Sequence, residues 1–185
     1  ETFFRLKGEV EAIFTALNLP KAEYEAEANH PAFHPGRCAK VSMGGKVLGY
    51  LGQIHPLVAK NYGIDGEIYC AELDLTDAFA LRLPDPTYHP LPKYPGVSRD
   101  LAIVCDENIT VAQAEAVISA AGGKLLRSVK LFDVYRGIGV PEHKKSLAFS
   151  LELRADDRTL TDADSEGTVA KILAALAEKL NVTLR

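Results

Sequence analysis

His30 and His34 stand four residues apart, the spacing at which two imidazoles on one helix face can hold a zinc ion. Pro31 and Pro35 break any helix there and no Glu follows His30, so the pair reads as a loop and no metal site is expected. His55, His89 and His143 are isolated and read as surface or capping residues. Gly44-Gly45 reads as a turn, and the chain has no Gly-x-Ser-x-Gly, no phosphate-binding Gly-Lys-Ser/Thr loop and no dinucleotide fingerprint. No catalytic set is expected. What remains is a different kit: the cations Arg99, Lys144, Lys145, Arg154 and Arg158, with the rings Phe132 and Tyr135 among them. Cations neutralise phosphates, and an aromatic ring stacks an unpaired base for about 1–3 kcal/mol. Asp100 and Asp133 are read as fixing nearby arginines or turns.

These residues need a scaffold, and the pattern beyond residue 94 supplies one. A strand is expected over about 98–105, then a helix announced by Thr110 with Gln113 and ended by Gly122-Gly123. Two strands follow, over about 125–136 and 145–154. In the second, Leu147, Phe149, Leu151 and Leu153 point one way, and Ser146, Ala148, Ser150 and Glu152 the other. Thr161 with Asp164 opens a long helix, and 182–185 forms a last short strand. The order β-α-β-β-α-β is that of a ferredoxin-like sandwich with both helices on one face of the sheet. The other face stays open, and the small Ala148 and Ser150 leave room there for a base. Strict alternation sends Phe132 and Tyr135 to opposite faces, so only one of them can stand on the open face.

The N-terminal half is plainer. A helix is expected over about 7–18, a hairpin over 38–52 turning at Gly44-Gly45, a short helix over 56–62 and a strand over 67–75. Five prolines between residues 81 and 96 mark a linker. Composition is that of an ordinary globular protein, 47% hydrophobic and 25% charged, with no apolar run long enough for a membrane helix. No signal segment opens the chain, and its first residue, Glu1, suggests a piece of something longer. Cys38, Cys70 and Cys105 are odd in number and form no Cys-x-x-Cys pair, which suits reduced thiols and a cytoplasmic location. The net charge of −4 is uneven: residues 1–90 carry 8 Lys+Arg against 12 Asp+Glu, and residues 91–185 carry 13 of each. Any basic face is therefore local, and Arg185 belongs to the same set of candidates for it.

Several longer runs carry a family resemblance. Tyr94-Pro95-Gly96-Val97-Ser98-Arg99-Asp100-Leu101, Phe132-Asp133-Val134-Tyr135-Arg136-Gly137, Lys144-Lys145-Ser146 and Arg158-Thr159-Leu160-Thr161-Asp162 resemble the ferredoxin-fold anticodon-binding domain of bacterial phenylalanine–tRNA ligase β subunits. Phe3-Phe4-Arg5-Leu6-Lys7-Gly8, His34-Pro35-Gly36-Arg37-Cys38-Ala39, Gly49 to Pro56 and Ala71 to Leu75 resemble the end of the catalytic-like module of the same subunit. The resemblance implies an α+β fold: a non-catalytic class II synthetase-like piece over 1–80, a Pro-rich linker over 81–93 and the ferredoxin-like domain over 94–185. It also implies a C-terminal fragment that is silent in isolation. The α subunit would perform the chemistry with ATP and Mg, in a heterotetramer of two α and two β subunits, and residues 94–185 would hold phenylalanine tRNA. The family's β-subunit magnesium and editing sites lie in segments not present here, so the fragment itself is expected to hold no cofactor. The chain lacks the Phe-Arg-x-Glu that clamps the ATP α-phosphate, and Glu72-Leu73-Asp74 stands where active members end a strand in arginine. Two other classes share the fold. One is acyl-phosphate hydrolysis, for which Ser98-Arg99-Asp100 offers an arginine without a Gly-rich loop; the other is a stand-alone regulatory module that binds a small molecule such as an amino acid.

Overall fold

The computed structural model describes residues 2–88 and 90–185, so the expectation for His89 lies outside the described residues. The chain divides between residues 88 and 89 into two compact units. That point falls inside the proline-rich stretch, whose described residues from 82 to 96 form no helix or strand.

The first unit opens with α1 (Thr2–Ala16), which begins five residues earlier than the expected helix. Phe3 and Leu6 extend the stripe of Val10 and Phe14 and pack on the same core, and the ion pairs Arg5–Glu9 and Lys7–Glu11 brace the helix. Asn18, in the left-handed conformation at φ 55°, ends it. Four antiparallel strands follow in the order β1 (Glu23–Ala26), β2 (Phe33–Met43), β3 (Lys46–Ile54) and β4 (Tyr69–Leu73). Gly44 and Gly45, at φ 57° and 80°, make the two-residue turn between β2 and β3, and a side chain on Gly44 would meet Leu81 at 2.8 Å. Between β3 and β4 lies α2 (Pro56–Asn61), whose first turn is capped by His55 Nδ1 accepting from Leu57 N. After β4 a single turn, α3 (Thr76–Phe79), is started by Asp74 accepting from Thr76 N.

The second unit is the expected sandwich. Its elements are β5 (Val97–Asp106), α4 (Val111–Gly122), a 3-10 turn over 123–125, β6 (Leu126–Tyr135), β7 (Lys144–Leu153), α5 (Asp162–Leu180) and β8 (Thr183–Leu184). The sheet is antiparallel in the order β6-β7-β5-β8. Both expected capping boxes form: Thr110 with Gln113 begins α4, and Thr161 with Asp164 begins α5. Leu101, Ile103, Leu147, Phe149 and Leu151 meet Ala114 and Ile118 of α4 and Ile172 and Leu176 of α5 in one buried cluster. The reverse face carries no helix.

The strand β6 departs from regular alternation twice. Arg127 and Phe132 are extra residues, each set between consecutive rungs of the ladder with β7. Leu131 pairs with Phe149 and Asp133 with Ala148, so the ladder steps over Phe132.

Candidate nucleic-acid interface

Cross-strand partners share a face, so the ladder sorts the candidate residues. Asp133 and Tyr135 pair with Ala148 and Ser146, which places the Tyr135 ring on the open face. Phe132, in the bulge opposite the same Ala148, is 56% exposed and does not belong to the core. The expectation that one of these rings must be core is therefore corrected, because the extra residue shifts the parity of everything after it. The sequence held the signal: the inward apolar residues of β6 are Val129, Leu131 and Val134, a step of two followed by a step of three.

Between the rings and the first strand the sheet surface is low. Ala102 pairs with Ala148, and Ser98 Oγ and Ser150 Oγ lie 3.3 Å apart. Asp100 and Asp133 stand exposed on this surface with no hydrogen bond or ion pair among the described residues, so they do not fix arginines as expected. An unpaired carboxylate there leaves its oxygens open to N–H donors.

The cations divide by face. Arg99 pairs with Leu151 on the helix-covered side, where its Nη2 donates to Asp162 Oδ1 at 3.0 Å and to Ser165 Oγ at 3.1 Å. Ser165 is fully buried, so this guanidinium is a fastener for the start of α5, away from the open face. Lys145 pairs with Cys105, is 8% exposed, and donates to the Glu107 carbonyl at 2.8 Å; it too is structural. Arg158 donates to Asp164 Oδ1 at 2.8 Å. The Asp164 carboxyl is held below the usual carboxylate range, first by the Thr161 backbone and side chain and then by Arg158. Arg154 leaves β7 with its backbone N–H on Leu125 O and its Nη1 3.7 Å from Glu152, while its Nε is buried without a partner.

Lys144 keeps to the open face, opposite Asp106 with its Nζ 3.4 Å from that carboxylate. Arg136, in a quoted motif but not singled out, lies at the same end of the sheet and donates through Nε and Nη2 to Glu107, which lowers the Glu107 pKa. At that end Arg185 lays its guanidinium over the Tyr135 ring, 4.8 Å from the centroid.

The first unit offers no comparable surface. On its helix-free face Lys40 is paired with Glu25 at 2.6 Å and Tyr50 stacks against His30. Glu72 is exposed there beside Tyr50. Its arginines pair elsewhere, Arg37 with Glu67, Gln53 and Tyr69. Among the described residues no three metal-ligating side chains converge. Cys38 and Cys105 are buried and unbonded, and burial pushes the Cys38 thiol up to about 11. His34 Nδ1 accepts from Gly36 N and His30 Nδ1 from Ala32 N, each within its own turn.

Comparison with known proteins agrees with this geometry. Residues 92–185 match the family model for the ferredoxin-fold anticodon binding domain, and residues 1–75 match that for the phenylalanyl tRNA synthetase beta chain CLM domain. The phenylalanine–tRNA ligase beta subunit of Clostridium tetani is 43% identical over 183 residues, covering 99% of this chain and 23% of that protein. Those of Symbiobacterium thermophilum and Moorella thermoacetica are 44% and 45% identical, over 94% and 99% of this chain and 19% and 23% of theirs. The chain thus spans less than a quarter of the length of these relatives. It belongs to the family of phenylalanine–tRNA ligase beta subunits, and its second unit is a ferredoxin-fold anticodon binding domain.

Proposed function

We propose that the second unit holds the anticodon arm of phenylalanine tRNA on the open face of its sheet. The observation that carries this is Tyr135, set on that face by its pairing with Ser146, with Phe132 exposed in the bulge beside it, next to the low surface of Ala148 and Ser150 and the unpaired Asp100 and Asp133. The rings stack splayed bases, the carboxylates accept from base edges, and Lys144 meets a phosphate. Arg99, Lys145 and Arg158 hold the domain's own backbone and helix.

Within the whole enzyme, the chain is the tRNA-binding and subunit-packing part of a ligase that joins phenylalanine to its tRNA in the cytoplasm. The α subunit supplies the chemistry with ATP and Mg, and two α and two β subunits assemble. The anionic helix-free face of the first unit supports a packing role rather than nucleotide binding. Arg99 is occupied by Asp162 and Ser165, which disfavours acyl-phosphate hydrolysis.

The test is equilibrium binding of the 185-residue chain to phenylalanine tRNA and to the same tRNA with an unrelated anticodon loop. We expect weak, salt-sensitive binding that is tighter for the first. Equal affinities would remove anticodon recognition.

A further inference from the structure

We propose that Glu107 is a positioning residue for RNA binding: it clasps both ends of the β6–β7 connection and, through that connection, holds the Tyr135 ring in its place on the open face. The inference rests on the reading of the open face given above and names what keeps that face in shape.

The connection, residues 136–143, forms no helix or strand and starts directly after Tyr135. Glu107 lies in the turn that follows β5, and its side chain, its N–H and its carbonyl each meet the connection or the strand it leads into. Oε1 of Glu107 accepts from Arg136 Nε at 2.9 Å and from Arg136 Nη2 at 2.6 Å, which secures the first residue of the connection. The Glu107 N–H donates to His143 O at 3.0 Å, which secures the last. The Glu107 carbonyl accepts from Lys145 Nζ at 2.8 Å, just inside β7. His143 is left-handed, at φ 61°. A residue with a side chain keeps that conformation only where its surroundings hold it, and the Glu107 bond is one such hold.

Between the clasped ends the chain is closed by its own turns. Val140 N donates to Gly137 O at 3.0 Å, and Lys144 N to Pro141 O at 3.2 Å. The hold reaches the sheet face at Ile138, whose carbonyl accepts from Tyr135 Oη at 3.3 Å. A Cβ on Gly137 would stand 2.7 Å from the same Oη, so the backbone runs close beside the ring tip. The ring is thus tied to a segment that Glu107 ties to the end of β5. A ring fixed before RNA arrives has little freedom left to lose on stacking. Arg136, with two N–H groups on one carboxylate oxygen, is a fastener of this segment, and that bond is the first cause of the lowered Glu107 pKa. The two side chains are 55% and 47% exposed, so the pair adds little to the stability of the whole unit.

The experiment is binding of an RNA hairpin with the anticodon stem-loop sequence of phenylalanine tRNA to the 185-residue chain, over a range of salt, with thermal unfolding of each variant. E107A is expected to lose about fivefold in affinity, the cost of ordering one side chain on binding, with the salt slope and the Tm unchanged. E107Q keeps an acceptor for Arg136 and is expected to bind within about twofold of wild type. In a Y135A background E107A costs nothing further, because it acts through the ring. Without RNA, amide relaxation by NMR is expected to show the segment between Gly137 and His143 as rigid as the strands in wild type and E107Q, and mobile in E107A. Wild-type affinity in E107A, E107Q as weak as E107A, or a loss that persists in the Y135A background would each overturn the proposal while leaving the open-face reading in place. So would a gain in affinity with a steeper salt slope in E107A, which would make Arg136 a phosphate ligand that Glu107 withholds. A wild-type chain that does not bind the hairpin, or a Y135A chain that binds it as wild type does, overturns both.

Discussion

The two faces of the second unit's sheet are built from the same four strands, often from adjacent residues, yet they hold their charges differently. On the covered face Arg99 and Lys145 are tied to Asp162, Ser165 and the Glu107 backbone, and they hold elements together. On the open face Asp100 and Asp133 are left unpaired and Arg185 rests on a ring. The difference teaches that a cation in a binding domain is assigned by its place on the ladder rather than by its type. A residue one step along a strand moves from fastener to open surface.

Neighbouring substitutions on β7 give the widest separation. Phe149→Ala on the covered face is expected to cost about 3–5 kcal/mol of stability, since a fully buried ring leaves a cavity. Ala148→Leu, one residue away, is expected to change stability by no more than about 0.5 kcal/mol and to weaken tRNA binding about tenfold or more by filling the base's place. Chemical denaturation and a binding titration on both variants would break the comparison if the two effects did not separate.

A smaller contrast uses two cations. Arg99→Ala is expected to lose about 1 kcal/mol of stability, being part-exposed, and to leave the salt dependence of tRNA binding unchanged. Lys144→Ala is expected to do the reverse, with an unchanged Tm and a salt slope lower by about 0.7–0.9.

The smallest effect is in acid. Asp164 has its pKa lowered in the folded chain, so the stability it contributes is present above the unfolded carboxylate value, about 4, and is lost as pH falls through the lower folded value. Tm measured from pH 7 downward is expected to fall less steeply in Asp164→Asn; parallel curves would show that the α5 cap does not sense protons.

Much of this architecture could be read from the residues themselves. The sandwich was legible because Leu147, Phe149, Leu151 and Leu153 alternate without interruption and because both capping boxes sit where helices must start. β1 was not legible, being four residues of an edge with three of them exposed, which leaves alternation nothing to mark. α3 is one turn, preceded by an Asp74 carboxylate that accepts from Thr76 N, and is too short for any apolar period. In the candidate site, the residues along each strand could be named from the sequence, but their faces could not. Counting by twos through β6 fails at Phe132, and no local pattern marks Arg99 as the partner of a helix 63 residues on.

The bulge at Phe132 has a bearing on how such a surface can vary. The ladder counts one rung fewer there than the chain counts residues: Leu131–Phe149 and Asp133–Ala148 would remain consecutive rungs if Phe132 were missing. A one-residue loss at that point would leave Asp133, Val134 and Tyr135 on the sides they now occupy and take away one ring. Chain length at that position is therefore a dial on the aromatic area offered to a ligand, and it turns without disturbing the core on the other side.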